Sequence, residues 1–149
     1  MFVRILAAGI AGAAAMFLLG WLIYGILLHG YFDSTMTQAA KDLMLDPPNF
    51  GPLVIAQIVF GVLFAFIFGC WASINTFAGG IKGGAILMFG LSLGWDMQMM
   101  AFFKDMHSGS PFVPMVVDII AATVMGAISG GVIGAVLGLM SKDVSSSSE

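Results

Sequence analysis

Charged residues are scarce in this sequence. Only 9% of the 149 residues are Asp, Glu, Lys or Arg, whereas 60% are hydrophobic. A soluble domain of this length cannot bury that much apolar surface, so the composition indicates a protein that is dissolved in a lipid bilayer. The five basic residues form no cluster of the kind that binds nucleic acid, and that class of partner is excluded.

Cysteine is almost absent as well. Cys70 is the single cysteine, so the chain forms no internal disulfide. It lies within an apolar run, which favours a packing role. The sequence also offers no nucleophile paired with a base, and we expect a protein that is not an enzyme and has no catalytic residues.

Long hydrophobic runs are what the sequence has in abundance. Four of them are long enough to cross a bilayer as helices at about 1.5 Å per residue. They span residues 5–28, 53–74, 81–103 and 113–140. These runs predict an all-α integral membrane four-helix bundle, a single domain of residues 1–140, followed by a disordered serine-rich tail of residues 141–149. The first run has the alternative interpretation of a signal peptide, but its length favours a retained helix.

The connections between the runs differ in character. Residues 34–45 place apolar side chains at helical spacing after Asp33 and Ser34, two candidate N-caps, which predicts a short amphipathic helix on the membrane surface. Residues 75–84 are rich in glycine and indicate a tight turn, with a phosphate-binding loop as the alternative although the Walker spacing is absent. Residues 104–112 form a short polar connection.

Basic residues near the ends of the runs predict the orientation. Arg4, Lys82 and Lys142 lie at one end of the predicted helices, and Lys41 and Lys104 lie at the other. Since cytoplasmic loops carry the excess of basic residues, we expect both termini in the cytoplasm. The amphipathic segment then faces outward.

Two further patterns predict how the helices pack. Leu-Gly-Trp at residues 19–21 recurs at residues 93–95, and residues 50–55 resemble residues 112–117, which predicts two repeated helical hairpins in the same orientation. Small residues recur at every fourth position of the second and fourth runs, where they let helix backbones approach closely. The packing residues predicted on this basis are Gly61, Gly69, Gly126, Gly130, Gly134 and Gly138. These stripes serve contacts inside the bundle or a homodimer face, and the first is favoured.

Polar side chains inside membrane spans are costly, which makes them candidates for function. Gln57, Asp96 and Asp118 lie about 7 to 12 Å inside the same, outer end of the predicted helices. No Lys or Arg lies at that depth, so we expect at least one carboxyl to be protonated. The sequence predicts an outward-facing polar pocket formed by Asp96, Asp118, Gln57, Gln98, Tyr24 and His29. The alternative is a purely structural role, in which the two aspartates hydrogen-bond to each other, to Gln57 or to Tyr24.

Metal and haem sites are weaker interpretations. Thioether groups and one imidazole lie together near the outer end of the third run, and soft ligands of this kind select Cu(I). The residues are Met97, Met99, Met100, Met106 and His107. Methionine is also an ordinary gap-filling residue. His29 and His107 are conceivable axial haem ligands, yet interfacial histidines are usually solvated. We therefore expect no metal and no cofactor.

Several segments resemble a family of small four-helix bacterial membrane proteins of uncharacterised function. The similar segments are residues 17–25, 76–80, 82–85 and 123–127, together with Asp118. The resemblance covers most of the chain and implies a location in the bacterial inner membrane. It transfers no activity and no functional residue.

Two functions remain for a protein of this kind. The first is an accessory or scaffold subunit that contacts membrane lipids and either other membrane subunits or a second copy of itself. The alternative is a small-molecule binding or transport protein, monomeric or homodimeric, that uses the outer pocket. The inner half of the predicted bundle lacks titratable side chains, which disfavours a conducting pathway.

Overall fold

The chain is built almost entirely from helices. A computed structural model describes residues 2–104 and 106–146. In chain order the helices are α1 (Phe2–Gly20), α2 (His29–Thr35), α3 (Gln38–Lys41), α4 (Phe50–Phe66), α5 (Phe77–Phe102) and α6 (Phe112–Ser146). The π-helical segments Trp21–Leu27 and Ile67–Trp71 extend α1 and α4. None of the described residues belongs to a β-strand, which confirms the predicted all-α class.

Four helical segments are long and apolar enough to cross a membrane, as predicted. They are Phe2–Leu27, Phe50–Trp71, Phe77–Phe102 and Phe112–Ser141. The last helix continues to Ser146, past the boundary at residue 140 that the sequence predicts. Residues 147–149 of the predicted tail lie outside the described residues.

The spans pack as two antiparallel pairs. α1 packs along α4, α5 packs along α6, and contacts between α1 and α6 join the two pairs. Large buried side chains at the centre come from three of these helices, namely Met16, Phe64, Phe68, Ile133 and Leu137. We call the end of the bundle that carries residues 28–49 and 103–111 the long-loop end, and the end that carries residues 72–76 the short-loop end.

Glycine makes the contact between α5 and α6 a contact between backbones. A Cβ atom on Gly126 would fall on the Cβ of Met88, and one on Gly130 would fall on the carbonyl of Gly80. At the short-loop end, Gly134 and Gly138 are covered in the same way by the carbonyls of residues 76 and 75. The stripe on α6 therefore packs inside the chain, and the absence of side chains lets the two helices approach closely.

The second pair of spans uses its two predicted glycines differently. A Cβ atom on Gly61 would fall on the carbonyl of Gly9 and lie 2.7 Å from the backbone nitrogen of Ala13, so α1 and α4 also meet through backbone. A Cβ on Gly69 would lie 3.6 Å from side-chain atoms of Ile5 and Leu137, which is ordinary van der Waals contact. Of these two glycines, only Gly61 lies where the helix backbones are so close that a side chain would not fit.

The predicted glycine-rich turn at residues 75–84 is wrong. Thr76 caps α5, its hydroxyl oxygen accepting a hydrogen bond from the backbone N–H of Gly79 at 3.1 Å, and the helix begins at Phe77. Gly80 and Gly84 lie inside α5 against α6. The turn is shorter and includes Ser73, whose φ of 51° reverses the chain after the π-helical segment.

The predicted amphipathic helix at residues 34–45 is also wrong. Two short helices, α2 and α3, replace it, and they are separated by extended backbone at Met36 and Thr37. Thr37, rather than Asp33 or Ser34, caps the second of them through a hydrogen bond from the N–H of Ala40 at 3.2 Å.

A contact between the two long loops explains this break. Met36 pairs with His107 as an antiparallel bridge. The N–H of Thr37 donates to the carbonyl of Met106 at 3.1 Å, and the N–H of Ser108 donates to the carbonyl of Thr35 at 2.8 Å. We call this pairing of residues 35–37 with 106–108 the interloop strap. It satisfies backbone groups that a continuous helix would otherwise use within itself.

Candidate functional site

A cavity of about 430 Å³ lies at the long-loop end of the bundle, between α2, α5, α6 and the loop that joins the last two helices. Its walls combine carboxyl, imidazole, thioether and aromatic groups. The lining residues are Phe32, Trp95, Asp96, Met99, Met100, Phe103, Met106, His107, Gly109, Pro111, Pro114, Met115 and Asp118. This size falls within the range of cavities that hold small organic ligands.

Helical spacing brings the acidic residues and their neighbours to the cavity. Met99 and Met100 follow Asp96 by three and four positions and so lie on the same face of α5. Met115 precedes Asp118 by three positions on α6 in the same way. Both aspartates lie about 9 Å inside the ends of their helices, and both line the same cavity.

The polar atoms of the cavity are incompletely paired. The Oδ2 atom of Asp96 and the Nδ1 atom of His107 are buried, and neither has a hydrogen-bond partner among the residues that the structure describes. Among the described lining residues none is Lys or Arg. The described lining therefore offers acidic oxygen atoms beside one imidazole, with no Lys or Arg side chain to neutralise them.

Tyr24 lies beside the cavity and contacts two of its lining residues, Asp118 and Phe32. It belongs to the π-helical extension of α1, and its hydroxyl donates to the backbone carbonyl of Asp118 at 3.5 Å. The tyrosine ring stacks on Phe32 with 6.0 Å between ring centres. Tyr24 thus connects α1, α2 and α6 beside the site.

The structure brings together some of the residues predicted for the pocket and separates others. Asp96 and Asp118 line the cavity, and Tyr24 contacts Asp118. Gln57 is half-buried on α4, and Gln98 and His29 are exposed. None of these last three residues lines the cavity.

Residues that the sequence assigned to a separate metal site line this same cavity. Met99, Met100, Met106 and His107 are found beside the two carboxyl groups, whereas Met97 is 42% exposed and does not line it. Sequence reasoning missed the aromatic walls formed by Phe32, Trp95 and Phe103. A signal was available for Trp95, which is adjacent to Asp96, but none was available for Phe32, since α2 was not predicted.

The arrangement is better suited to binding than to holding a hard metal ion. The described residues contain no group of three His, Cys, Asp or Glu side chains that could hold a metal. Carboxyl groups that face no Lys or Arg attract cations or hydrogen-bond donors, and the aromatic and thioether walls accept apolar groups. Comparison with protein-family models, with curated proteins and with solved structures gives no match to this chain.

Proposed function

We propose that this chain is a non-enzymatic multi-pass membrane protein that binds a small molecule in the cavity at its long-loop end. The observation that carries the proposal is the cavity itself, about 430 Å³ in volume and lined by Asp96 and Asp118. Acidic residues at membrane depth are costly to keep, and a ligand that pairs with them is one reason to retain them.

Binding is favoured over conduction through the membrane. Between the two aspartates and the short-loop end, the buried polar residues among those described are Ser92 and Ser129. The hydroxyl of Ser92 donates to the carbonyl of Phe89 within its own helix at 3.3 Å. A proton or ion path needs polar stations along its length. Between the two aspartates and the short-loop end, where Arg4 and Lys82 lie, the described spans contain no Asp, Glu, His, Lys or Arg.

The proposed location is the bacterial inner membrane with both termini in the cytoplasm. The even number of spans puts the two termini on one side. Arg4 and Lys82 lie toward that side, and Lys41 and Lys104 lie in the long loops. Trp71 at the short-loop end is 75% exposed, as interfacial aromatic residues are. The cavity then opens to the outside.

The two helix pairs are proposed to be related hairpins. In each pair a glycine of the first helix meets a glycine of the second, Gly9 with Gly61 and Gly84 with Gly126. When residues 19–21 are aligned with 93–95 and residues 50–55 with 112–117, Gly9 corresponds to position 83 and Gly61 to position 123, one and three positions before Gly84 and Gly126. Each glycine contact thus lies within one helical turn of the position that the repeat gives for it, which supports a common origin for the hairpins.

A scaffold function is the second proposal. Leu43, Met44 and Leu45 form an apolar segment of the first long loop, and their side chains are 87%, 59% and 70% exposed. Because the glycines of α6 are covered by α5, a partner subunit or a second copy would use this segment or the outward faces of the spans. Membrane lipids cover those outward faces in any case.

Native mass spectrometry of the protein extracted from native membranes tests the two proposals together. For a binding protein we expect the mass of the chain plus a small molecule, and loss of that molecule in a Met100→Trp variant, whose larger side chain occupies part of the cavity. Met97→Trp is the matched control on the same helix, and it should keep the molecule because Met97 does not line the cavity. A stoichiometric protein partner without a small molecule supports the scaffold function instead.

A further inference from the structure

We propose that the ligand of the cavity is an organic ammonium ion, held between Asp96 and Asp118 with its apolar substituents against the aromatic and thioether walls. This inference rests on the proposed binding function and names the chemical class that the same site accepts.

The charge of the site selects a cation. Asp96 and Asp118 both line the cavity, and none of the described lining residues is Lys or Arg. A positive group between the two carboxyls would favour the ionised form of both, because its attraction would offset their mutual repulsion in surroundings of lower dielectric than water. An anionic ligand would meet the same carboxyl groups as like charges.

The unpaired atoms indicate a ligand that donates hydrogen bonds. Asp96 Oδ2 accepts none from the described residues although it is buried, and His107 Nδ1 is buried and unpartnered in the same way. A buried acceptor without a partner costs free energy that a donor would recover. An ammonium group with N–H bonds supplies both the charge and the donors.

The walls indicate an organic cation rather than a bare metal ion. Phe32, Trp95 and Phe103 are among the residues that line the cavity. Aromatic faces attract ammonium groups and pack against apolar substituents. The volume of about 430 Å³ is far more than one ion needs and falls in the range for small organic ligands. The methionine side chains that complete the walls adapt readily to ligand shape.

The test compares benzylammonium with benzyl alcohol, which has nearly the same size and shape but no charge. Isothermal titration calorimetry is performed on the full chain in nanodiscs of zwitterionic lipid, with empty nanodiscs as the background. We expect benzylammonium to bind at least tenfold more tightly than benzyl alcohol. The Asp96→Asn, Asp118→Asn double variant should lose that preference, and Asp42→Asn, an exposed aspartate of the first long loop, should keep it.

A single substitution provides the test in case the double variant does not fold. The single Asp96→Asn change removes the charge from a carboxyl whose buried oxygen makes no hydrogen bond to the described residues, and it should by itself weaken benzylammonium binding at least fivefold. If the single variant and the double variant both bind benzylammonium as tightly as the wild type does, the inference is overturned.

The remaining outcomes separate this inference from the proposed function. If a copurifying molecule is lost in Met100→Trp but benzylammonium binds no better than benzyl alcohol, the cavity is a binding site and the ammonium class is wrong. If Cu(I) alone, kept reduced by ascorbate, binds in place of benzylammonium and this binding falls in a His107→Ala variant, the site is a soft-metal site and the inference is overturned. If neither probe binds and no molecule copurifies, both proposals fail.

Discussion

Gly84 of α5 and Gly130 of α6 lie backbone against backbone, and neither has room for a side chain. A Cβ atom on Gly130 would lie 2.8 Å from the Cα of Gly84, and one on Gly84 would lie 2.9 Å from the Cα of Gly130. The obstructing atoms belong to the backbone, so a rotamer change cannot relieve the clash. The two helices would have to separate along the interface.

We therefore expect Gly130→Ala to destabilise the protein by about 1–3 kcal/mol, the range found for overpacked cores. The measurement is unfolding in detergent, followed by circular dichroism as denaturant is added. Gly90→Ala is the control, because a Cβ at Gly90 meets nothing within 4 Å. Alanine is the better helix former by up to about 1 kcal/mol, so the control should be neutral or stabilised. Equal stability of the two variants would contradict the α5–α6 packing.

The first helix pair offers a second matched comparison. Gly61→Ala places a methyl group on the backbone of α1, 2.7 Å from the nitrogen of Ala13, whereas Gly69→Ala places it 3.6 Å from side-chain atoms of Ile5 and Leu137. We expect Gly61→Ala to lower the thermal unfolding temperature in detergent and Gly69→Ala to leave it within a few degrees of wild type. A larger loss for Gly69→Ala would show that α1 and α4 do not meet at Gly61.

The sequence was sufficient to predict the spans because lipid imposes a strong, local requirement. Each backbone polar group in hydrocarbon must be satisfied within its own helix, so length and hydropathy alone identify the crossings. The glycines of residues 75–84 carry no such unique signal. A Gly-Gly pair is typical of a turn and also of a tight helix contact, and only the partner glycines on α6 decide between the two for Gly80 and Gly84.

The candidate site could be predicted only in part for a related reason. Sequence gives the depth of Asp96 and Asp118 along their helices, and that depth brings both to one cavity. The sequence indicates less directly on which face of the helix a side chain lies relative to the cavity. Gln98 follows Asp96 by two positions, about 200° around the helix, and it is exposed away from the cavity. The interloop strap joins residues distant in sequence, so the local pattern of residues 34–45 could not reveal it.

The interloop strap makes a prediction about cross-linking. Met36 and His107 are opposite each other, and the flanking hydrogen bonds run from Thr37 to Met106 and from Ser108 to Thr35. This is the non-hydrogen-bonded type of pair, in which the Cα atoms lie about 4.5 Å apart, a separation that a disulfide spans. Met36→Cys with His107→Cys, in a Cys70→Ser background, should form a disulfide on mild oxidation, detected by thiol titration.

The matched control for this cross-link moves one cysteine along the first loop. Leu43→Cys with His107→Cys should remain reduced under the same conditions, because Leu43 is 87% exposed and lies outside the strap. If both pairs oxidise to the same extent, the cross-link reports loop mobility and the strap is not the dominant arrangement.

The orientation of the cavity can be measured by labelling cysteines from one side of the membrane. In a Cys70→Ser background, Leu45→Cys introduces a thiol in the first long loop, where the native side chain is 70% exposed, and Ala72→Cys introduces one at the exposed short-loop end. If basic residues hold the short-loop end in the cytoplasm, a membrane-impermeant maleimide should label the Leu45→Cys protein in intact bacteria. The Ala72→Cys protein should react only after the membrane is permeabilised. The reverse pattern would place the long loops in the cytoplasm, and because the cavity lies at their end of the bundle, its ligand would then have to come from inside the cell.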